Sequence, residues 1–477
     1  MDRILAALVR IFAFAARFTD QTDSALPSGT SSPAPLKILL VGYNGARNTG
    51  ADVRVSALID QFNDVFGPEN IQMTLMTLDA GSSETYLQDN VKLLPFDTIF
   101  FNALLKACST HDVIIACEGS MLKSKFANGL TLFLCQAAGT ARSQRKPCIA
   151  YGVEAGEMDG FVERTARDLC QDAMMIARTP QSLDIIRSLR LNSLLGTDSA
   201  WTFDSSRGHD AALALLREGG WDEQRPLLGI APINPFCWPA KPSLLKLARS
   251  VVTGNWENHY QKFYYLSSSP QRKRAFDAYL RALAQSVNAY CAEHGCQPVI
   301  IGMEKLDEQA CRKLEGMLDQ PSIVVLSNDH DGFTIGEVIG QLNAIVTSRY
   351  HAGLLAMARG IVPIGVSMDE RLDNLLHHAR LPEELLLHVD DPDLSRNLSR
   401  SLEWARAHAG AEVMALGEYV RAQRAACKSM AKLAHDAIVG CNAPGKQRAT
   451  AATAEKPPAH SAPRTAAPRP RLCKDQL

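Results

Sequence analysis

The sequence has no surplus of charge of either sign. Its 477 residues carry 50 Lys+Arg against 51 Asp+Glu, so no global field draws it to DNA, RNA or an anionic surface, and nucleic acid is not expected as a partner. Any charged ligand must be recognised locally. A CxxC pair is also missing. Twelve cysteines are scattered from Cys108 to Cys473, several inside apolar runs such as Ile114 to Cys117, which fits reduced, buried thiols in a cytosolic compartment. The nearest pair, Cys291 and Cys296, brackets His294 but has no second ligand pair nearby, so no metal is expected.

Long hydrophobic runs are absent too. The opening MDRILAALVRIFAFAARF is apolar, yet Arg10 and Arg17 interrupt it before spanning length and no small-residue cleavage pattern follows, which argues against a transmembrane helix and a signal peptide. What remains is an amphipathic helix over residues 1–18, lying on a membrane or on the protein's own surface. The expected location is the cytoplasm, with that helix as a peripheral contact at the inner face of the membrane. DQTDSALPSGTSSPAP then reads as a flexible linker up to residue 35, and residues 441–477 as a disordered tail rich in Ala, Pro, Lys and Arg. The terminal KDQL resembles a retention signal by chance. Finally, GxGxxG is missing: Gly42, Gly45 and Gly50 are spaced wrongly for the dinucleotide fingerprint.

What is present is an alternation of short apolar runs with longer helical ones, the pattern of βα units in a mostly parallel sheet. At 477 residues the chain exceeds one ordinary core, which favours two domains. Strands are expected at Leu36 to Gly42, Ile71 to Leu78, His111 to Cys117, Pro147 to Val153 and Met174 to Arg178. A second series runs Pro226 to Ile233, Pro298 to Met303, Ser322 to Ser327, Ala344 to Ser348 and Val362 to Ser367. The expected fold is therefore α/β, with two Rossmann-like domains of mostly parallel sheets facing a cleft, over residues 36–224 and 225–397. C-terminal helices follow over 398–440.

Polar groups gather where strands end. GYNGARNTGAD after the first strand offers a tight turn at Gly45, and Asn48 and Thr49 at a helix start suit an anion or a sugar. CEGSMLKSKFAN places Glu118 directly beyond the third strand, and YGVEAGEMDG places Glu154 beyond the fourth. Asp198 follows a short apolar segment. In the second half, the Pro-rich GIAPINPFCWPAKP holds Asn234, Trp238 and Lys241, VIIGMEKLDE holds Glu304, and SNDHDG holds Asp329, His330 and Asp331. In TSRYHAGLLAMARG, Ser348, Arg349 and His351 stand where a strand gives way to a helix, a fixed cation and an imidazole where negative charge is favoured.

The combination of GYNGARNTGAD, SRYHA and IVPIGVSMDERLDNLL resembles the polysaccharide pyruvyl transferase family, over most of Lys37 to about Leu386. The resemblance implies a glycosyltransferase-B-like build and transfer of an enolpyruvyl unit from phosphoenolpyruvate to a saccharide acceptor, usually as a cyclic ketal, with phosphoenolpyruvate as co-substrate and no cofactor. On this reading Arg349 clamps the donor's carboxylate or phosphate, His351 is the general acid that protonates the enol carbon, and Glu118 or Glu154 takes the hydroxyl proton. Ser348, Lys241, Asn234, Gly45, Asn48, Thr49, Glu304 and Arg371 complete the expected binding set. Three features depart from the family pattern. Ala51 separates Gly50 from Asp52, Arg371 stands where the family's late motif has Lys, and CEGSMLKS replaces a Gly-rich turn. Two other readings stand beside it: a nucleotide-sugar-dependent glycosyltransferase of the same build, and a catalytically silent glycan-binding or scaffold relative.

Overall fold

The computed structural model describes residues 1–19, 34–97, 99–243, 245–246, 249 and 264–442. Most of the expected linker and nearly all of the expected tail lie outside these residues. Two parallel sheets organise the rest. The first holds β1 (Leu36–Val41), β2 (Ile71–Thr77), β3 (Val91–Pro95), β4 (Val113–Ala116), β5 (Cys148–Val153), β6 (Met174–Ala177) and β7 (Ser193–Leu195), in the order β3-β2-β1-β4-β5-β6-β7. The second comprises β8 (Leu227–Ala231), β11 (Gln297–Gly302), β12 (Ile323–Leu326), β13 (Ala344–Thr347), β14 (Pro363–Ser367) and β15 (Leu386–His388), in the order β12-β11-β8-β13-β14-β15. Between them in sequence, β9 (Lys241–Pro242) and β10 (Tyr264–Tyr265) form a small antiparallel pair.

Helices cover both faces of each sheet, so the central strands are buried on both sides and read as continuous apolar runs rather than alternating ones. Every residue of β4, β5, β8, β11 and β14 is buried. Both domains are Rossmann-like, as the strand pattern predicts. Each sheet reverses its strand order once at the centre: between β1 and β4 in the first, between β8 and β13 in the second. Such switch points open crevices at the carboxyl ends of the strands.

Two features bind the domains together. Ala200, Trp201, Ala212 and Leu216 already belong to the second core, so the chain passes from one domain to the other upstream of the expected boundary at residue 225. The C-terminal segment is one helix, Leu394–Asn442, rather than several. Its Leu398, Leu402 and Leu416 pack into the second core, while Met430, Ala434 and Ile438 pack into the first. The same chain thus returns to the domain where it began.

Candidate functional site at the domain interface

The carboxyl ends of the two sheets face each other, and four loops from the two switch points meet there. After β1, Gly45 adopts φ 72°, a left-handed turn that also leaves no room for a side chain, since a Cβ would stand 2.1 Å from Thr77 Oγ1. Arg47 takes φ 52°, rare for a residue with a Cβ. Its carbonyl accepts from Ser327 Oγ at 2.9 Å and from Lys305 N at 3.2 Å, both in the second domain. The side chain of Asn48 caps the Thr49–Phe66 helix, accepting from Ala51 N at 3.2 Å, and its backbone bridges Glu304. Thr49 N donates to Met303 O at 2.8 Å. The centre of the expected cleft is therefore closed by backbone hydrogen bonds between the domains.

Arg349 and His351, on adjoining sides of the β13 end, face different surroundings. Arg349 turns toward its own domain, where it pairs with Asp307 and, at 3.1 Å, with Glu304 Oε2. Although burial acts against its charge, these two carboxylates raise the guanidinium's pKa and keep it protonated. Tyr43 from the first domain donates to Glu304 at 3.4 Å. Ser348 shares a 2.8 Å hydrogen bond with Tyr279. His351 instead faces the first domain, its Nε2 3.6 Å from Asp198 Oδ2. Behind it stands Gly50, where a Cβ would come within 2.1 Å of the imidazole Nδ1. Burial lowers the pKa of His351, opposed only in part by Asp198, so the imidazole is neutral at neutral pH.

Beneath His351 lies a buried cluster of charge. Asp198 Oδ2 accepts from Arg54 at 2.5 Å and from Arg178 at 2.8 Å, and Arg178 also pairs with Glu154. Burial disfavours the Asp198 anion, but Arg54, His351 and Arg178 overcome that and hold its pKa well below the usual range. Arg54 spends its remaining donors on the carbonyls of Tyr151, Gly152 and Cys117, at 2.9, 3.0 and 3.3 Å. The Arg178 guanidinium lies 4.2 Å over the ring of Tyr350. Glu118 is half-buried and folds onto its own loop, accepting from Gly119 N at 2.9 Å.

A third group joins the β4 loop to the β14 loop. Lys123 is buried and lies 2.7 Å from Glu370 and 3.7 Å from Asp369, with burial lowering its pKa against the pull of those acids. Lys125 donates to Met368 O at 2.7 Å. Arg371 pairs with Asp369 at 3.0 Å and covers the ring of Phe126 at 4.4 Å. Beside this group a cavity of about 920 Å³ opens between Lys123, Lys125 and Asn128 on one side and Trp238 to Pro242 on the other. Lys241 is exposed on its wall. Asn234 holds the loop before it, accepting from Phe236 N at 3.1 Å.

The expected residues thus fall into three neighbouring sets rather than one. His351 and Glu154 share the Arg54–Asp198–Arg178 cluster. Arg349, Glu304 and Asn48 form a second set with Asp307 and Tyr43, and Arg371 belongs with the lysines of the β4 loop. Sequence reasoning did not single out Arg54, Arg178 or Asp307, and met Asp369 only as the acid of the late motif that ends in Arg371. The available signal for Arg54 was a charge flanked by Val53 and Val55 in a helix with little polar surface. Away from the interface, Glu293, His294 and Glu403 bring three potential ligand atoms within 4.8 Å of one another, around a 2.6 Å ion pair of His294 with Glu403.

No protein-family model and no curated protein matches the sequence. Solved structures do. A putative UDP-N-acetylglucosamine 2-epimerase from Listeria monocytogenes superimposes with TM-score 0.53 at 10% identity, covering 85% of this chain and 98% of that one. Anabaena Alr3699/HepE in complex with UDP-glucose gives 0.51 at 11% identity, covering 85% and 100%. Sucrose-phosphate synthase from Thermosynechococcus elongatus gives 0.50 at 14% identity, also covering 85% and 100%. At such identities the likeness is one of fold: this chain has the two-domain architecture of the glycosyltransferase-B type.

Proposed function

We propose that the protein is an enzyme that transfers a group from an anionic donor to a saccharide, with the donor gripped where the two switch points meet. The observation that carries this reading is the meeting of polar strand-end loops across the interface, the β1 loop with the β13 loop at Gly50 and His351 and the β4 loop with the β8 loop at Phe126 and Ala240. Arg349 supplies a permanent cation there. Its two carboxylate partners occupy it in the closed state, so a donor must compete with Glu304 and Asp307 or enter as the domains part.

For the donor's identity, the fold likeness supports a nucleotide sugar, because proteins of the same architecture include one in complex with UDP-glucose. A neutral His351 fits that chemistry as the base that takes the acceptor hydroxyl's proton. Phosphoenolpyruvate is the second reading, favoured by the SRYHA block and the strand after it. There His351 must carry a proton, and a multiply charged anion placed beside it would raise its pKa in the required direction. Glu154 is committed to Arg178 in both cases, and Glu118 is the freer carboxylate.

Thermal denaturation with each donor separates the readings. A ligand at a hundred times its Kd stabilises by about 2.7 kcal/mol, a shift of several degrees or less for a chain of this size. UDP-glucose or UDP-N-acetylglucosamine raising the Tm supports glycosyl transfer, and phosphoenolpyruvate raising it, with phosphate released in the presence of glycan acceptors, supports pyruvyl transfer. If neither moves the Tm of the wild type, the donor site is not at this interface and the silent relative is the better account.

A further inference from the structure

The N-terminal helix, Asp2–Ala15, has two apolar faces, and only one is used by the fold. Its small side chains point inward: Ala6, Val9, Ala13 and, just beyond, Ala16 are buried. They lie against the helix Asn128–Ser143, where Gly139 allows close approach, since a Cβ there would stand 2.8 Å from Ala13 Cβ. Phe12 stacks on Phe101 at 5.6 Å. Ser143 Oγ donates to Ala13 O at 2.8 Å, and Arg10 pairs with Asp168 at 2.7 Å. The helix is thereby fixed to the first domain.

Four other, large side chains point outward. Ile4, Ile11, Phe14 and Phe18 follow one another at helical spacing and are 56%, 60%, 54% and 77% exposed. A folded body that leaves two isoleucines and two phenylalanines in one exposed row presents a surface for something else. One border of this ridge is basic: Arg3, Arg10 and Arg17 recur every seven residues, and a seven-residue step returns to nearly the same side of a helix. Arg3 and Arg17 are exposed and have no carboxylate partner among the described residues, while Arg17 lies 5.0 Å over the Phe14 ring. The only acid of the helix, Asp2, accepts from Asn128 at 2.8 Å. Across a chain of formal net charge −1, Arg3 and Arg17 thus make a local cationic border beside the apolar ridge, with Arg10 between them paired to Asp168.

We infer that the outer face of this helix is a membrane-docking surface that selects anionic lipid. An apolar ridge bordered by arginines matches the boundary between acyl chains and negative headgroups, with the aromatic rings sinking in and the guanidinium groups staying at phosphate level. A second copy of the chain is a poorer occupant, because it would bring a second row of arginines to the first. No described helix is long and apolar enough to cross a membrane, so the contact lies on the bilayer surface.

Sedimentation of the full chain with vesicles tests this. Vesicles of phosphatidylcholine with about a third phosphatidylglycerol should carry the protein down, vesicles of phosphatidylcholine alone should carry much less, and added salt should release it. Arg3→Ala and Arg17→Ala should each weaken binding roughly fivefold. The triple variant Ile11→Ser, Phe14→Ser, Phe18→Ser should abolish binding while leaving the Tm unchanged, since none of the three holds the helix to the domain. The proposal fails if the wild type stays in the supernatant, or if the triple variant sediments with anionic vesicles as the wild type does. It also fails if that variant instead converts a lipid-free dimer into monomers.

Discussion

Gly50 shows how closely the two domains are fitted at the candidate site. It begins the Thr49–Phe66 helix in the first domain, yet its missing side chain is what admits His351 of the second. Gly50→Ala should therefore act as an overpacking substitution and destabilise by about 1–3 kcal/mol. The same substitution in a His351→Ala background should cost much less, because the clashing ring is gone. Urea denaturation of the four proteins in this cycle measures the coupling, and additive effects would show that the two residues do not touch. At this scale the sequence is a partial guide. Arg349 and His351 stand out in the sequence because two polar groups follow an apolar strand, but nothing in the letters says that one turns into its own domain and the other across the interface. Arg54 escaped notice for a different reason. On a helix a charge ordinarily reads as solvent-facing, and only the burial of nearly the whole helix between two domains makes it interior.

Among the secondary-structure elements, the legible strands are those with a continuous apolar run: all the inner ones and, at one edge, β12. Ten of the strand positions read from apolar runs correspond to β1, β2, β4, β5, β6, β8, β11, β12, β13 and β14, within two residues at either end. The three strands of the two parallel sheets with no such signal, β3, β7 and β15, each lie at a sheet edge and are only partly buried. A strand covered on fewer sides needs no continuous apolar run, so periodicity has nothing to detect. The Leu394–Asn442 helix is a second case. The sequence predicts helix here, but which half serves which domain follows from the path of the chain. That path makes a specific prediction. Met430 is fully buried in the first core, so Met430→Ala should cost about 2–5 kcal/mol, in the range for deleting a buried side chain. Met414 on the same helix is 78% exposed, and Met414→Ala should change stability by no more than about 0.5 kcal/mol. Equal effects at the two positions would mean that the helix does not clamp the first domain.

Across the whole molecule, the interface is held partly by groups whose charge depends on pH. Asp52 lies on the first domain's helix and is buried, and burial pushes its pKa from 3.8 up to about 8, against the pull of Arg47. Glu118 in its own domain and Asp331 in the other both add to the rise, and Tyr86 hydrogen-bonds to it while accepting from Gly332 N across the boundary at 2.6 Å. The folded chain therefore keeps a proton on Asp52 through a range in which the unfolded chain has lost it. Linkage then fixes the sign: this contribution to stability is present at low pH and is lost as pH rises from about 4 to about 8. Other groups titrate in the same range. Burial pushes Asp307 up to about 6, with the same sign, and His351, whose pKa is lowered, contributes the opposite slope. Comparison with Asp52→Asn cancels both, because the variant keeps them. Between pH 5.5 and 8.5 the Tm of the wild type should fall more steeply than that of Asp52→Asn, and the difference should grow with pH. Parallel curves would mean that Asp52 is ionised in the folded protein throughout. The consequence reaches the interface itself, since a charge appearing on Asp52 is opposed by Asp331 on the facing domain.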